Sequence, residues 1–247
     1  KRQLLGLATF ILAIGIVFSF TRAAWVSLAG VAALFAIMSL GVSLRQIIGI
    51  GVIAFSLLWI NQDSILIELQ RNKQDSSDNL TEHVESISNV SSDDSNLERL
   101  NRWNCAWSLF KERPLFGWGP GTYQFVYAPY QEAKYKTIIS TNNADGGNAH
   151  SEYLGPLAEQ GILGPMFVLL LIWYISSIGF RLWNESEDIN KRNLAVGVYL
   201  GLMTYFIHGI LNNYLDTDKA SAPFWGFIAL LVVLDLELRD SKKEITS

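Results

Sequence analysis

The sequence predicts an all-α polytopic membrane protein, and three observations predict it. Half of the residues are hydrophobic and 17% are charged, a balance too apolar for an ordinary soluble domain of 247 residues. The apolar residues gather into six runs, each near the roughly 20 residues that a helix needs to cross a bilayer. The basic residues between those runs crowd onto one set of connections and avoid the other.

The runs are 4–20, 25–44, 47–60, 162–180, 194–211 and 223–236. The third and sixth are short, so they tilt little, thin the bilayer, or extend past these limits. Run 4–20 has no small-residue cleavage site and another run follows almost at once, so it reads as a span and not as a signal peptide. Six crossings put both termini on one side. With them fall Lys1, Arg2, Arg45, Arg181, Lys191, Arg192, Arg239, Lys242 and Lys243, whereas the short connections opposite hold only Arg22 and Lys219. The positive-inside rule makes the termini cytoplasmic and places Arg22, the long central segment and loop 212–221 outside. The expected organisation is three transmembrane helices in 1–60, an extracytoplasmic loop in 61–161, three transmembrane helices in 162–238 and a cytoplasmic tail in 239–247. The chain opens on Lys1 rather than Met, so a piece of a longer protein is expected.

The loop changes composition twice. Residues 70–98 are Ser, Asp, Asn and Glu with almost no aromatics, which reads as a flexible insertion. Its triplets at Asn79 and Asn89 match the glycosylation sequon, as text rich in Asn and Ser does by chance. The part 99–161 is expected to be ordered and to carry short helices. In "LERLNRWNCAWSLFKERP", residues 97–114, Trp103, Ala106, Trp107 and Phe110 recur three or four apart before Pro114, which predicts a helix. Indoles on one side and basic residues on the other suit a helix lying at the membrane surface. Gly119-Pro120-Gly121 predicts a turn. Tyr123, Phe125, Tyr127, Tyr130 and Tyr135 follow, either as an interfacial aromatic belt or as rings that stack on sugars.

The loop closes on "NAHSEYLGPLAEQGILG", residues 148–164. His150 is mostly neutral at pH 7 and can take the proton of an attacking hydroxyl, although a lone histidine at a helix start is more often a cap or a surface residue. Glu152 and Glu159 orient it, act as bases themselves, or stay solvated, and Gly161 and Gly164 let the following helix pack closely on a neighbour. Tyr205, His208 and Asn212 share one face of the fifth run, and ionisable groups in a membrane are functional candidates. They line the same cavity or mark a proton-coupled path. Asp216 and Asp218 beyond them form a weak candidate site for a divalent ion. The single Cys105 makes no internal disulfide, and a net charge of −4 gives no reason to expect nucleic acid.

Together, "FTRAAW" at 20–25, "ERLNRWNCAWSLFKERPLFGWGPGTY" at 98–123, and His150-Ser151 followed by Gly161 and Gly164 resemble the O-antigen ligase and O-antigen polymerase family. The similarity runs from about residue 19 to about residue 164, and the chain looks like the C-terminal half of such a protein. Pro165-Met166 stands where ligases often carry Thr-Gly, which leaves ligase and polymerase both open. The resemblance implies a metal-independent glycosyltransferase with no cofactor, in the bacterial cytoplasmic (inner) membrane, its site facing the periplasm or exterior. It implies an undecaprenyl-pyrophosphate-linked glycan as donor and a hydroxyl on lipid A core, growing polysaccharide or protein as acceptor, in lipopolysaccharide or other surface polysaccharide biosynthesis. In the family, an arginine at the position of Arg22 and one in the loop hold the pyrophosphate, and the histidine acts on the acceptor. Arg22 and His150 match directly. Arg99 is the best match for the loop arginine with Arg102 in reserve, and Ser151, Glu152 and His208 are supporting candidates. The chemistry agrees with these residue types, because guanidinium forks match phosphate oxygens and stay charged when partly desolvated, and fixed cations stabilise a departing diphosphate. The competing reading is a transporter or lipid-carrier flippase fragment, which would concentrate polar groups at the bilayer midplane; here only His208 lies deep. A third reading is a fragment inactive without its first half.

Overall fold

The computed structural model describes residues 2–19, 21–61, 94–133, 136, 140 and 147–246, and among the described residues there are helices and no strands. Three apolar helices, α1 (Arg2–Phe18), α2 (Arg22–Ser39) and α3 (Leu44–Ile60), come first. The loop contributes α4 (Asp94–Glu112), the one-turn α5 (Tyr123–Val126), a 3₁₀ turn (Ala128–Tyr130) and α6 (Leu154–Gln160). Then follow α7 (Leu163–Glu185), α8 (Ile189–His208) and α9 (Asp218–Thr246). Each predicted apolar run coincides with one of α1–α3 or α7–α9. The predicted sequons, Tyr135 and residues 70–93 of the predicted insertion lie outside the described residues, and α4 is already helical from Asp94.

Local chemistry starts these helices. Ser43 and Gln46 form a capping box at α3, and the Asp188 carboxylate accepts the N–H groups of Asn190 and Lys191 at the start of α8. By length and composition α7 and α9 are able to cross a membrane, and α1–α3 hold the shorter apolar stretches Gln3–Ile16, Ala23–Ser39 and Leu44–Ala54. The short sixth run is part of a helix that extends beyond it at both ends. Leu4, Phe10 and Leu12 on α1 and Phe167, Leu169 and Trp173 on α7 are exposed, an outward apolar surface suited to hydrocarbon.

At the centre of the bundle α8 packs on α2, α7 and α9. Met38, Ile178, Tyr199, Leu202, Phe206 and Leu231 make its core. At one end the tails of α7 and α9 meet the head of α8 through ion pairs: Arg181–Asp235 at 3.3 Å, Arg239–Asp235 at 2.7 Å, Lys191–Glu237 at 2.7 Å and Lys242–Glu185 at 2.6 Å. These four basic residues are among those that the charge count assigns to a single side.

A second core lies in the loop, where Cys105, Leu109, Tyr123, Tyr127, Ala149 and Ala158 pack together from α4 to α6. The face of α4 turned inward is Glu98, Asn101, Arg102, Cys105 and Leu109. It differs from the face that apolar periodicity selects: Trp107 is 50% exposed, and Trp103 and Phe110 are half-buried. The inward face is satisfied by hydrogen bonds, so its polarity hides it from a hydrophobic pattern.

A Cβ at Gly179 would stand 2.6 Å from the Tyr199 ring, and overfilling a packed core costs about 1–3 kcal/mol. Gly179→Ala is therefore expected to lower the thermal unfolding midpoint in detergent. Gly197→Ala on α8, where a Cβ meets open space, is expected not to lower it.

Candidate active site

His150 is set in a strained turn. Among the described residues it is the one non-glycine with positive φ, at 49°, a conformation that costs of order 1–3 kcal/mol outside glycine. The surroundings enforce it. The His150 N–H donates to Asn148 Oδ1 at 3.1 Å, and the Asn148 carbonyl accepts from Arg102 Nη1 at 3.3 Å. Arg102 is itself buried: its Nε donates to Glu98 at 2.7 Å and its guanidinium lies 4.5 Å over the Tyr127 ring. Ser140 Oγ donates to the other oxygen of Glu98. Residue 147 must be glycine here, since a Cβ would fall 1.8 Å from the Arg102 guanidinium.

The residues after His150 anchor the turn. Buried Ser151 Oγ accepts the N–H groups of Tyr153 and Leu154, both at 3.3 Å, and so starts α6. The Glu152 carboxylate accepts the N–H groups of Tyr214 at 2.8 Å and Leu215 at 3.0 Å, and also the Tyr205 hydroxyl. The Glu152 N–H donates to the Gly209 carbonyl at 2.8 Å, and Tyr153 donates to the Phe206 carbonyl at 2.9 Å. Glu159 accepts the N–H groups of Gly121 at 2.8 Å and Tyr123 at 2.9 Å. Both glutamates are thus acceptors for backbone elsewhere in the fold.

The predicted Gly-Pro-Gly turn closes with Thr122 N–H donating to the Gly119 carbonyl at 3.2 Å. Segment 114–119 runs along 158–162 through Trp118 to Ala158 at 3.2 Å, Gly119 to Glu159 at 2.7 Å and Ile162 to Pro114 at 2.8 Å. A Cβ at Gly161 would be 2.5 Å from the Leu115 backbone, and one at Gly164 would be 2.3 Å from the Pro156 carbonyl. The close approach expected of these glycines is therefore made to the loop and not to a neighbouring span.

Burial pushes the half-buried His150 imidazole below the ordinary 6.5; the Arg102 and Arg99 charges push the same way, and Glu98 opposes them. Arg99, half-buried on α4, also acts on His208. His208 is the last residue of α8, so Asn212 lies beyond the helix, yet the turn brings its Nδ2 within 3.1 Å of His208 Nε2. The His208 ring also faces the backbone of Ala23, the residue after Arg22. Arg22 opens α2; its side chain lies outside the described residues. His150, Arg99, Arg102 and His208 are thus gathered with the start of α2, while Glu152 is turned to the α8–α9 connection.

Two further groups are unsuited to chemistry near neutral pH. Burial raises Cys105 to about 12, and burial with the Glu152 charge raises Tyr153 to about 12. Among the described residues no three His, Cys, Asp or Glu side chains gather as a metal site, and Asp216 accepts instead from Asn213 at 3.1 Å. Sequence reasoning passed over Glu98, which the i,i+4 spacing to Arg102 could have revealed, and it read Tyr127 as a belt or sugar-stacking ring without its place beneath the same guanidinium.

A helical bundle with helices fit to cross a membrane, joined to a loop core that presents an imidazole among arginines, defines a membrane protein with a polar site at one end. A family model described as O-antigen ligase matches residues 7–169, and the chain belongs to that family. No curated protein matches the chain. The matched stretch holds Arg22, Arg99, Arg102 and His150; His208 lies beyond it.

Removing one partner of a buried ion pair costs about 3–5 kcal/mol, and the Arg102 and Glu98 side chains are 9% and 7% exposed. Arg102→Ala is expected to loosen the loop core first, read as early protease cleavage within 94–158 while the bundle stays intact.

Proposed function

We propose that this chain is a glycosyltransferase of the bacterial cytoplasmic membrane. It moves a glycan from undecaprenyl pyrophosphate to a hydroxyl of a lipid A core, growing polysaccharide or protein acceptor. One observation supports the reading: Arg99 and His150, which match the family, interact at the end of the bundle remote from its ion-paired end, and position 22 begins the helix beside His208. Arg99 acts on both His150 and His208, and His208 abuts the residue that follows Arg22. Helices α1–α3 and α7–α9 cross the bilayer with the ion-paired end in the cytoplasm, which puts the site outside.

The acceptor oxygen attacks the anomeric carbon, the bond from that carbon to the pyrophosphate oxygen breaks, and its electron pair leaves with the diphosphate. His150 takes the acceptor proton, and a lowered pKa keeps the imidazole in the form that can do so. Arg99 and Arg22 hold the diphosphate and offset the charge it gains as it leaves. Arg102 is assigned a different task. Its guanidinium is engaged by Glu98, Asn148 and Tyr127, so it positions the histidine turn. Ser151 and Glu152 position the same turn from the other side.

In cells, His150→Ala is expected to reach the membrane and to accumulate carrier-linked glycan; normal surface polysaccharide in that strain would overturn the base. In membranes, kcat/KM should stay level through neutral pH and fall only below 6.5, the ordinary imidazole value from which His150 is displaced downward. An acid limb centred above that value would contradict the assignment. Arg99→Ala should raise the donor KM at least about tenfold, the effect of losing one charge-assisted phosphate contact, with Arg99→Lys recovering part of it.

A further inference from the structure

A cavity of about 570 Å³ adjoins the histidine turn, lined by Asn148, Ala149, Ser151 and Glu152 on either side of His150 and by Glu159 and Asp216; it belongs to the site already described. A different surface is left without a role. Along one edge of the loop core Leu115 is 63% and Phe116 76% exposed, with Trp107 exposed a few residues before them. The half-buried Phe110 ring lies 5.3 Å from the Trp107 ring. Single exposed apolar residues need no explanation, but a group of them marks a surface that something covers.

The position of the edge names its cover. The Ile162 N–H donates to the Pro114 carbonyl at 2.8 Å, and a Cβ at Gly161 would stand 2.5 Å from the Leu115 backbone. Leu115 and Phe116 are thereby held at the head of α7, where the exposed Ile162, Met166 and Phe167 begin the apolar surface of that helix. On α4, Arg99, Trp103 and Phe110 recur at helical spacing on one flank, and Arg99 reaches His208 at the end of α8. This flank too is turned to the end of the bundle. The charges agree with a lipid surface. The one acid in 103–118 is Glu112, which accepts the Tyr130 hydroxyl at 2.8 Å. Lys111, four residues after Trp107, is exposed, and its apolar stem with a charged tip suits a layer of lipid headgroups.

We propose that Trp107, Phe110, Leu115 and Phe116 insert into the outer leaflet beside α7 and seat the loop core on the membrane at a point separate from Glu152. Aromatic and aliphatic side chains of this kind anchor at the boundary between hydrocarbon and headgroups. The inference rests on α7 crossing the bilayer, as read above, and on no part of the transfer chemistry. The test is power-saturation EPR on the whole chain in liposomes of phosphatidylethanolamine and phosphatidylglycerol, with a nitroxide on Phe116→Cys, Ser108→Cys or Phe167→Cys. Cys105 is fully buried, so the unsubstituted chain supplies the blank. Oxygen concentrates in hydrocarbon and a nickel chelate stays in water. Because the bilayer core holds no water, the ratio of oxygen to nickel access is expected to be at least about threefold higher at 116 and 167 than at 108. Ser108 is the control because it lies on nearly the opposite flank of α4 from Phe110. Leu115→Cys takes the place of Phe116→Cys should that variant fail to fold. A label at 116 as open to nickel as the one at 108 overturns the proposal. A label at 116 closed to both reagents overturns it too, since protein then covers the edge. Either result leaves His150 as base, whereas a ratio at 167 no higher than at 108 removes the crossing of α7 and the membrane reading with it.

Discussion

The structure turns on the carboxylate of Glu152. Two cores make up the molecule, one in the bundle and one in the loop, and this side chain joins them by accepting two backbone N–H groups and a tyrosine hydroxyl from the end of α8 and the connection after it. Bonds to a charged acceptor contribute about 1.5–3 kcal/mol each. His150 lies two residues upstream and His208 one residue before Gly209, whose carbonyl takes the Glu152 N–H. The two imidazoles are therefore fixed relative to each other by a polar clasp. A clasp is directional where apolar packing is not, and directionality is what a positioned base needs.

Arg102 of α4 is fixed by the same logic. A buried ion pair is a weak source of stability because desolvation offsets most of its attraction, so the Glu98–Arg102 pair is better understood through what it holds. It presents one guanidinium N–H to the Asn148 carbonyl, and it leaves no room for a side chain at residue 147. The turn has little freedom left, and the positive φ of His150 follows from that. At His150 the Arg102 charge exceeds the opposing Glu98 charge, and Arg99 adds to it. Arg99 is half-buried on α4, and its charge reaches the imidazole.

Much of this fold was legible because a bilayer demands length and charge asymmetry, and both are written directly in a sequence. The six apolar runs coincide with six helices, and four of the basic residues assigned to one side, Arg181, Lys191, Arg239 and Lys242, do converge on acidic partners at one end of the bundle. The inward face of α4 was not legible. Glu98, Asn101 and Arg102 are buried through polar contacts, and a search for apolar periodicity selects Trp103, Trp107 and Phe110 instead. Glu152 and Glu159 were legible as residues of interest but not as clasps, since their partners lie up to 63 positions away and leave no local pattern. His150 stood out by its motif; its strain is a property of its neighbours' packing and could only be seen in three dimensions.

Charge also gives the site a direction. On the proposed reading, arginines surround the imidazole on the α4 side, while carboxylates line the cavity along the chain on both flanks of the same residue. At a partly desolvated surface, unlike charges attract and like charges repel by several times the energy they have in bulk water. On that reading an anionic donor is steered to the arginines and kept from the carboxylates. The histidine turn is the partition between the two linings, one residue thick. A histidine held by apolar packing alone would sit between two indifferent surfaces; this one stands between a basic side and an acidic one.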